Sequence, residues 1–371
     1  MKYYLIAGEP SGDLHGSNLI RNLKTCDPDA EFRYFGGDLM QKEGGELALH
    51  YKKMSFIGIW EIVKNIKTIN QTLGICRKDI LAYNPDALIL IDYPGFNLKI
   101  AEFAKENGYK TIYYIAPKVW ASRKSRIKRI KKSVDKLYVI LPFEEDYFRE
   151  KGIQAEYQGN PLSDAIASFK PVTSNVFREK NNISDKPIIA LLAGSRKTEI
   201  SLCLPEMLKA TREFTDDYEL VLAGAPSIIP DYYDQFLEES KVKILFNQTY
   251  DLLNNAVAAL VVSGTATLET ALFKVPEAVF YKLSTPTFII GRPFVHIRFF
   301  SLVNIIMDRE IVKEFLQFGL AKKLNSELKL LLANTEYRKK MLDNFDELSN
   351  IVGKAGTSER VAKSMFEYIK Q

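Results

Sequence analysis

The sequence predicts an α/β protein of two doubly wound, Rossmann-like domains, and three observations carry that prediction. The chain has 371 residues, more than one hydrophobic core ordinarily serves, and its 46% hydrophobic and 26% charged residues are those of a globular protein. Short apolar runs alternate with helical patterns along most of its length, as in parallel sheets covered by helices. The alternation is interrupted once, by a polar, weakly patterned stretch at 163–186, and then restarts.

The first series of strands is "KYYLIA", "AEFRYFGG", "DALILID", "KTIYYIA" and "KLYVILP", with amphipathic stretches such as 57–83 and 98–107 between them. The second is "IIALLAG", "YELVLAGA", "VKILFN", "AALVVSG" and "PEAVFYK". Residues 1–165 are expected to form one domain and 166–345 the other. The tail is helical in pattern from 326 onward, and 346–371 is expected to pack back on the first domain as a C-terminal helix.

Composition narrows the function classes. A net charge of +5 is modest, and no nucleic-acid module surrounds the basic residues, so no nucleic-acid partner is expected. Cys26, Cys76 and Cys203 lie far apart with no C-x-x-C pair, which suits a reducing compartment and offers no zinc signature. No uncharged apolar stretch reaches the roughly 18 residues that span a bilayer, and no signal peptide is visible, so a cytoplasmic protein is expected.

In doubly wound sheets ligands sit beyond the carboxyl ends of the strands. The loop after the first strand, "AGEPSGDLHGSNLI" at 7–20, has glycines but not in G-x-G-x-x-G spacing, and Glu9 and Asp13 would repel a pyrophosphate. Either Ser11 or Asp13 caps the following helix, or the loop meets a ligand that is not a phosphate. After "DALILI" stands Asp92, where Pro94 and Gly95 should force a turn that leaves the carboxylate at the sheet rim. After "IIALLA" come Gly194, Ser195 and Arg196: a glycine for close approach, a capping serine and a guanidinium suited to phosphate. After "AALVV" come Ser263, Gly264, Thr265 and, one turn on, Glu269. Free amides at such a helix start bind a diphosphate, and the carboxylate either accepts ribose hydroxyls or compensates the helix dipole.

Nine stretches in order resemble the lipid-A-disaccharide synthase family. They are "AGEPSGDLHG", "GIWEIV", "PDALILIDYPGFN", "YYIAPKVWASRKSRIKRI", "LPFE", "GNPLSD", "LLAGSRKTEI", "SGTATLE" and "VNIIMDREIVKEFLQ". The resemblance implies a GT-B fold, two Rossmann-like domains facing across a cleft, with the acceptor bound by the first and the donor nucleotide by the second. It implies transfer of 2,3-diacylglucosamine from UDP to 2,3-diacylglucosamine 1-phosphate, with inversion, to give the β-1,6-linked lipid A disaccharide 1-phosphate and UDP. On this reading Asp92 is the general base, and Arg196 with the amides around Ser195 and Thr265 stabilises the departing diphosphate without a metal or other cofactor. Glu269 is the ribose ligand and Asn304 a polar contact to the UDP-sugar. Glu9 and Ser11 hydrogen-bond sugar hydroxyls on the acceptor side, and Asp13 caps its helix. The chain departs from the family pattern at Ala193, Gly95, Asn160 and Val303; the second departure leaves Asp92 as the lone carboxylate after its strand.

Acylated substrates place the enzyme on the anionic cytoplasmic face of the inner membrane. The run "RKSRIKRIKK" at 123–132 holds seven basic side chains and follows Trp120; Arg126, Lys128, Arg129 and Lys132 are its candidate membrane contacts. Ile127, Ile130 and Val134 recur at helical spacing, so the run reads equally as a solvated helix face. The apolar segments 54–60 and 287–302 are further candidates, the latter also as the contact of a homodimer. A UDP-N-acetylglucosamine 2-epimerase of similar fold is the alternative enzyme.

Overall fold

The computed structural model describes residues 1–54, 66–120, 125–238, 240–291 and 297–371. It divides into two compact units: unit 1 is Met1–Asp164 with Val352–Gln371, and unit 2 is Ala165–Ile351. Among the described residues, unit 1 holds a seven-stranded sheet of β1 (Lys2–Ala7), β2 (Glu31–Gly36), β3 (Glu46–His50), β4 (Ala87–Ile91), β5 (Lys110–Tyr114), β6 (Lys136–Val139) and β7 (Ala155–Tyr157). Their spatial order is β3-β2-β1-β4-β5-β6-β7. Unit 2 holds six: β8 (Ile188–Leu192), β9 (Glu219–Gly224), β10 (Lys243–Phe246), β11 (Ala256–Val262), β12 (Glu277–Tyr281) and β13 (Lys313–Leu316), ordered β10-β9-β8-β11-β12-β13. Every pairing is parallel, and each sheet winds outward in both directions from its first strand, as the sequence predicted.

The central strands are covered on both faces, which is why they read as unbroken apolar runs. Along β1, Tyr4 and Ile6 enter one core of unit 1 while Tyr3, Leu5 and Ala7 enter the other. All five residues of β4 and all five of β8 are buried. Three strands escaped the sequence reading: β3, β7 and β13. Each is a sheet edge, and none contains a buried residue, so no apolar run marks it.

The polar stretch 163–186 is not an open linker. It includes the helix Ser174–Lys180, and Phe177 and Ile183 join the core of unit 2. At the end of the chain, the helix Thr357–Lys370 lays Val361, Ala362, Met365 and Ile369 on the core that also takes Leu19, Ile20 and Leu23 from the helix Pro10–Cys26. Its free amides find a distant acceptor. Gly356 and Thr357 donate to Asp164 Oδ1 at 2.6 and 2.9 Å, and Ser358 donates to Oδ2 at 2.7 Å.

Asp13 uses the same device, which corrects its reading as the cap of its own helix. That helix starts at Pro10, and the Asp13 amide already donates to Glu9 O at 3.0 Å inside it. The buried Asp13 carboxylate instead accepts from the amides of Gly37, Leu39 and Met40 at 2.8, 3.0 and 3.1 Å. It therefore caps the short helix Asp38–Lys42.

Candidate active site

In unit 1 the chain reverses sharply after β4. Asp92 and Tyr93 both adopt left-handed backbone, at φ 45° and 46°. Pro94 and Gly95, expected to force a turn, instead open the helix Pro94–Glu106, where the missing N–H of the proline costs nothing. Two neighbours hold the strained pair through the Asp92 carbonyl, which accepts from Tyr113 Oη at 2.6 Å and from Asn97 Nδ2 at 2.7 Å. The Tyr93 ring lies against Gly8, where a Cβ would come within 2.3 Å of it, and its hydroxyl donates to Met54 O at 2.7 Å. A glycine at position 8 thus lets the loop after β1 close onto the loop after β4.

That closure brings Glu9 near Asp92. Burial first, and then the Glu9 charge, push the Asp92 carboxyl up to about 6, against the opposing pull of Lys118, the Tyr93 amide and Arg126. Glu9 is half-buried at the N-cap of its helix with no side-chain capping bond, and Ser11 is exposed one position inside. A carboxylate with affinity for protons near neutrality, at the rim of a sheet, is suited to general-base work.

The basic run is in part structural. The helix Arg126–Ser133 buries Ile130, and Arg129 forms a two-pronged ion pair with Glu102 at 2.6 and 2.8 Å, so it is not a free surface charge. Trp120 likewise turns inward: its indole N–H donates to Glu144 Oε1 at 2.9 Å and its ring meets Phe143 edge-on. Glu144 is itself buried, and burial pushes its carboxyl up. Arg126 is half-buried and contributes to the field at Asp92. Lys128, Lys131 and Lys132 remain exposed. Residues 123 and 124 lie outside the described residues, as do 55–60 of the segment 54–60 and 292–296 of the segment 287–302.

In unit 2 a pocket of about 940 Å³ opens beyond the carboxyl ends of β8, β9, β11 and β12. Gly194, Ser195, Arg196, Ser263, Gly264, Thr265 and Glu269 all line it, so the two motifs the sequence singled out share one cavity. Gly194 has φ 95°, and a Cβ there would come within 2.7 Å of Glu199 Oε2. Ser195 is not a side-chain cap; the helix Lys197–Thr211 begins without one. Instead Glu199, three residues into that helix, accepts the Ser195 amide at 3.1 Å and pairs with the largely exposed Arg196 at 3.6 Å. Glu199 lay inside the quoted motif and was passed over, although a glutamate at that position of a helix start is a capping signal.

On the β11 side, Ser263 Oγ donates to Phe300 O at 2.7 Å, and Gly264 stands at the N-cap of the helix Thr265–Leu272. Glu269 is half-buried and accepts from Tyr250 Oη at 2.9 Å; burial pushes its carboxyl up and the Tyr250 bond opposes this. Nothing in the sequence around Tyr250 marked it. Asn304 is absent from the pocket lining. It is fully buried, accepts from the Ile311 and Val312 amides, and donates to Val312 O and Glu314 Oε1 at 2.9 and 2.8 Å. Its amide is saturated; Glu314 also accepts from the amides of Phe300 and Ser301, so this network shapes the pocket wall from behind. Among the described residues no group of three or more His, Cys, Asp or Glu could hold a metal ion, and no helix is long and apolar enough to cross a membrane.

UDP-GlcNAc 2-epimerase from Neisseria meningitidis, solved with UDP-GlcNAc, matches with a TM-score of 0.69 over 99% of this chain and 100% of that one, at 12% identity. The Methanocaldococcus jannaschii UDP-GlcNAc 2-epimerase, solved with UDP-GlcNAc and UDP, gives 0.67 over 99% and 100%, at 16% identity. Identities this low speak for a shared fold alone. Sequence relatives carry more: lipid-A-disaccharide synthases of Syntrophus aciditrophicus, Myxococcus xanthus and Coxiella burnetii are 35%, 34% and 33% identical, over 99%, 98% and 98% of this chain and 97%, 97% and 98% of theirs. The family model described as Lipid-A-disaccharide synthetase matches residues 3–365. With two doubly wound sheets, a lone carboxylate after β4 and a pocket after β8 and β11 lined by Arg196 and Glu269, the chain belongs to the lipid-A-disaccharide synthase family.

Proposed function

We infer that this protein is a glycosyltransferase that moves 2,3-diacylglucosamine from UDP to 2,3-diacylglucosamine 1-phosphate, releasing UDP and the β-1,6-linked disaccharide 1-phosphate. The observation that carries the donor half is the unit 2 pocket, where amides after β8 and β11, Arg196 and a half-buried glutamate line one cavity. In the proposed step the acceptor hydroxyl attacks the anomeric carbon from the face opposite UDP. Asp92 takes its proton as the new C–O bond forms, and the bond to the diphosphate breaks with its electron pair leaving on UDP. Arg196 and the amides of Ser195 and Thr265 meet the charge that grows there, the first two exchanging Glu199 for the diphosphate, and Glu269 accepts from the ribose hydroxyls. Glu9 and Ser11 hold hydroxyls of the acceptor sugar.

Helix-start amides and a guanidinium can supply this stabilisation themselves, so activity is expected to persist in full in EDTA; recovery of lost activity on adding magnesium would refute that. The deciding assay is UDP release from UDP-2,3-diacylglucosamine with and without the acceptor. Release that requires the acceptor supports the transferase, whereas turnover of UDP-N-acetylglucosamine without any acceptor would point to an epimerase.

Substrates with acyl chains stay in a bilayer, so we also propose reversible docking on its anionic cytoplasmic face through the exposed Lys128, Lys131 and Lys132. At about 1 kcal/mol for each lysine near the surface, replacing all three by glutamine should weaken sedimentation with anionic vesicles strongly at low salt. Activity on detergent-dispersed substrate should be kept. Vesicle binding equal to that of the unaltered protein would reduce the run to a solvated helix face.

A further inference from the structure

The unit 2 pocket is chemically divided. Its polar groups follow β8 and β11, adjacent strands near the middle of the sheet. Toward the β13 edge the lining becomes apolar: Leu283 after β12, Phe288, Ile297 and Phe300 on the segment between, and Leu316 at the end of β13. This apolar wall continues past the cavity onto the surface. Ile297 and Leu316 are 43% and 41% exposed, Phe318 is 59% exposed, and the Phe318 ring stands edge-on to Phe288 at 5.6 Å. Ile289, the residue after Phe288, is 62% exposed.

A uracil ring can stack on apolar side chains inside the cavity, but it does not reach those that continue past it, Ile289 and Phe318. The ribose and diphosphate of UDP are polar, and a volume of about 940 Å³ is at the top of the range of roughly 300 to 1,000 Å³ found for small-molecule sites. Exposed aromatic and aliphatic side chains gathered at one mouth mark a surface that something apolar covers. Their continuity with the nucleotide pocket fits a ligand that is anionic at one end and apolar at the other. We propose that Phe288, Ile297, Leu316 and Phe318 carry the fatty acyl chains of the donor, so that this lip selects an acylated UDP-sugar over its non-acylated counterpart. The proposal rests on the reading of the unit 2 pocket as the donor site. The contact is an apolar one, insensitive to salt.

The test uses the double variant Leu316→Ser/Phe318→Ser, both positions exposed, with Phe288→Ser as a second probe nearer the cavity. Val176→Ser, at a 50% exposed position of the helix Ser174–Lys180, is the control. Binding is measured for UDP and for a UDP-2,3-diacylglucosamine with chains short enough to dissolve without detergent. Burying these groups against acyl methylenes predicts about 10-fold or greater weakening for the acylated ligand in the double variant, with UDP affinity held and the control unchanged. Equal weakening for both ligands would make the lip a mere wall of the nucleotide site. Unchanged affinity for the acylated ligand in all variants would place the chains elsewhere. Loss of a dimer or of vesicle binding, with donor affinity intact, would give the lip to a second copy or to the bilayer. Failure of the unaltered protein to bind UDP would defeat the donor pocket itself, and that outcome is distinct from failure of the lip alone.

Discussion

The rims of the two units stand on sheets wound in the same way, yet they handle charge in opposite senses. Unit 1 gathers carboxylates, Asp92 beside Glu9, and the result is a group held near 6 by burial and a like charge. Unit 2 gathers donors, the amides after β8 and β11 and the Arg196 guanidinium, with Glu199 answering two of them. The backbone follows the chemistry. After β8 unit 2 offers the backbone itself, and the left-handed residue there is a glycine, Gly194, for which φ 95° carries no steric cost, although Asn247 and Gln317 are left-handed after β10 and β13. Unit 1 must present a side chain, so non-glycine residues bear the left-handed conformation at 92 and 93, a strain on the order of 1 to 3 kcal/mol each. Tyr113 and Asn97 hold the chain there. One topology thus supplies two rims, and on the proposed function the residues on them divide proton transfer from anion binding.

The largest effect that tests this division is at Asp92. Asp92→Asn keeps the size and tolerates the same backbone, but cannot take a proton; turnover should fall by about 10²- to 10⁴-fold while UDP affinity is held. A comparable loss of UDP binding would erase the distinction between the rims. The reverse pattern belongs to unit 2. Arg196→Ala and Glu269→Ala should each weaken UDP binding by about 10- to 100-fold, since each removes a charge-assisted partner, measured by titration calorimetry. Arg196 is largely exposed, which places it at the lower end. Unchanged affinity in both variants would move the donor site out of this pocket.

Much of this was legible from residue order alone, and the exceptions have a common cause. Strands buried on both faces announce themselves, as β4 and β8 do; the edge strands β3, β7 and β13 expose one side and their backbones, and their sequences mix accordingly. Residues following central strands could be picked as site candidates because the fold class says where ligands go, and Ser195 and Thr265 do line one cavity. Capping was misread at Asp13, whose partners are distant: it satisfies amides 24 to 27 residues away, a contact that no local window contains, and the same holds of Asp164, which satisfies amides 192 to 194 away. Asn304 shows a related limit of a motif position, which reports that an amide is needed and not that its side chain bonds the chain's own Ile311, Val312 and Glu314.

The smallest predicted effect is the sharpest probe of the unit 1 rim, because it isolates the neighbour from the burial. Asp92 must be ionised to act as a base, so turnover should be lost as pH falls through about 6, with the acid limb of the rate profile reporting its titration. Glu9 adds a negative charge that disfavours ionisation. Glu9→Gln removes that charge with little change of shape, and the limb should move to lower pH. It should stop above the ordinary carboxylate range, because burial is the larger cause and remains. Lys118→Ala removes an opposing positive charge and should move the limb the other way. Opposite displacements from two substitutions on either side of one carboxylate are hard to obtain from general damage to the fold, which would lower the plateau and leave the midpoint in place. A midpoint near 6 in all three proteins would show that neither neighbour is felt, and that the closure of the Gly8 loop onto Tyr93 has no electrostatic consequence for Asp92.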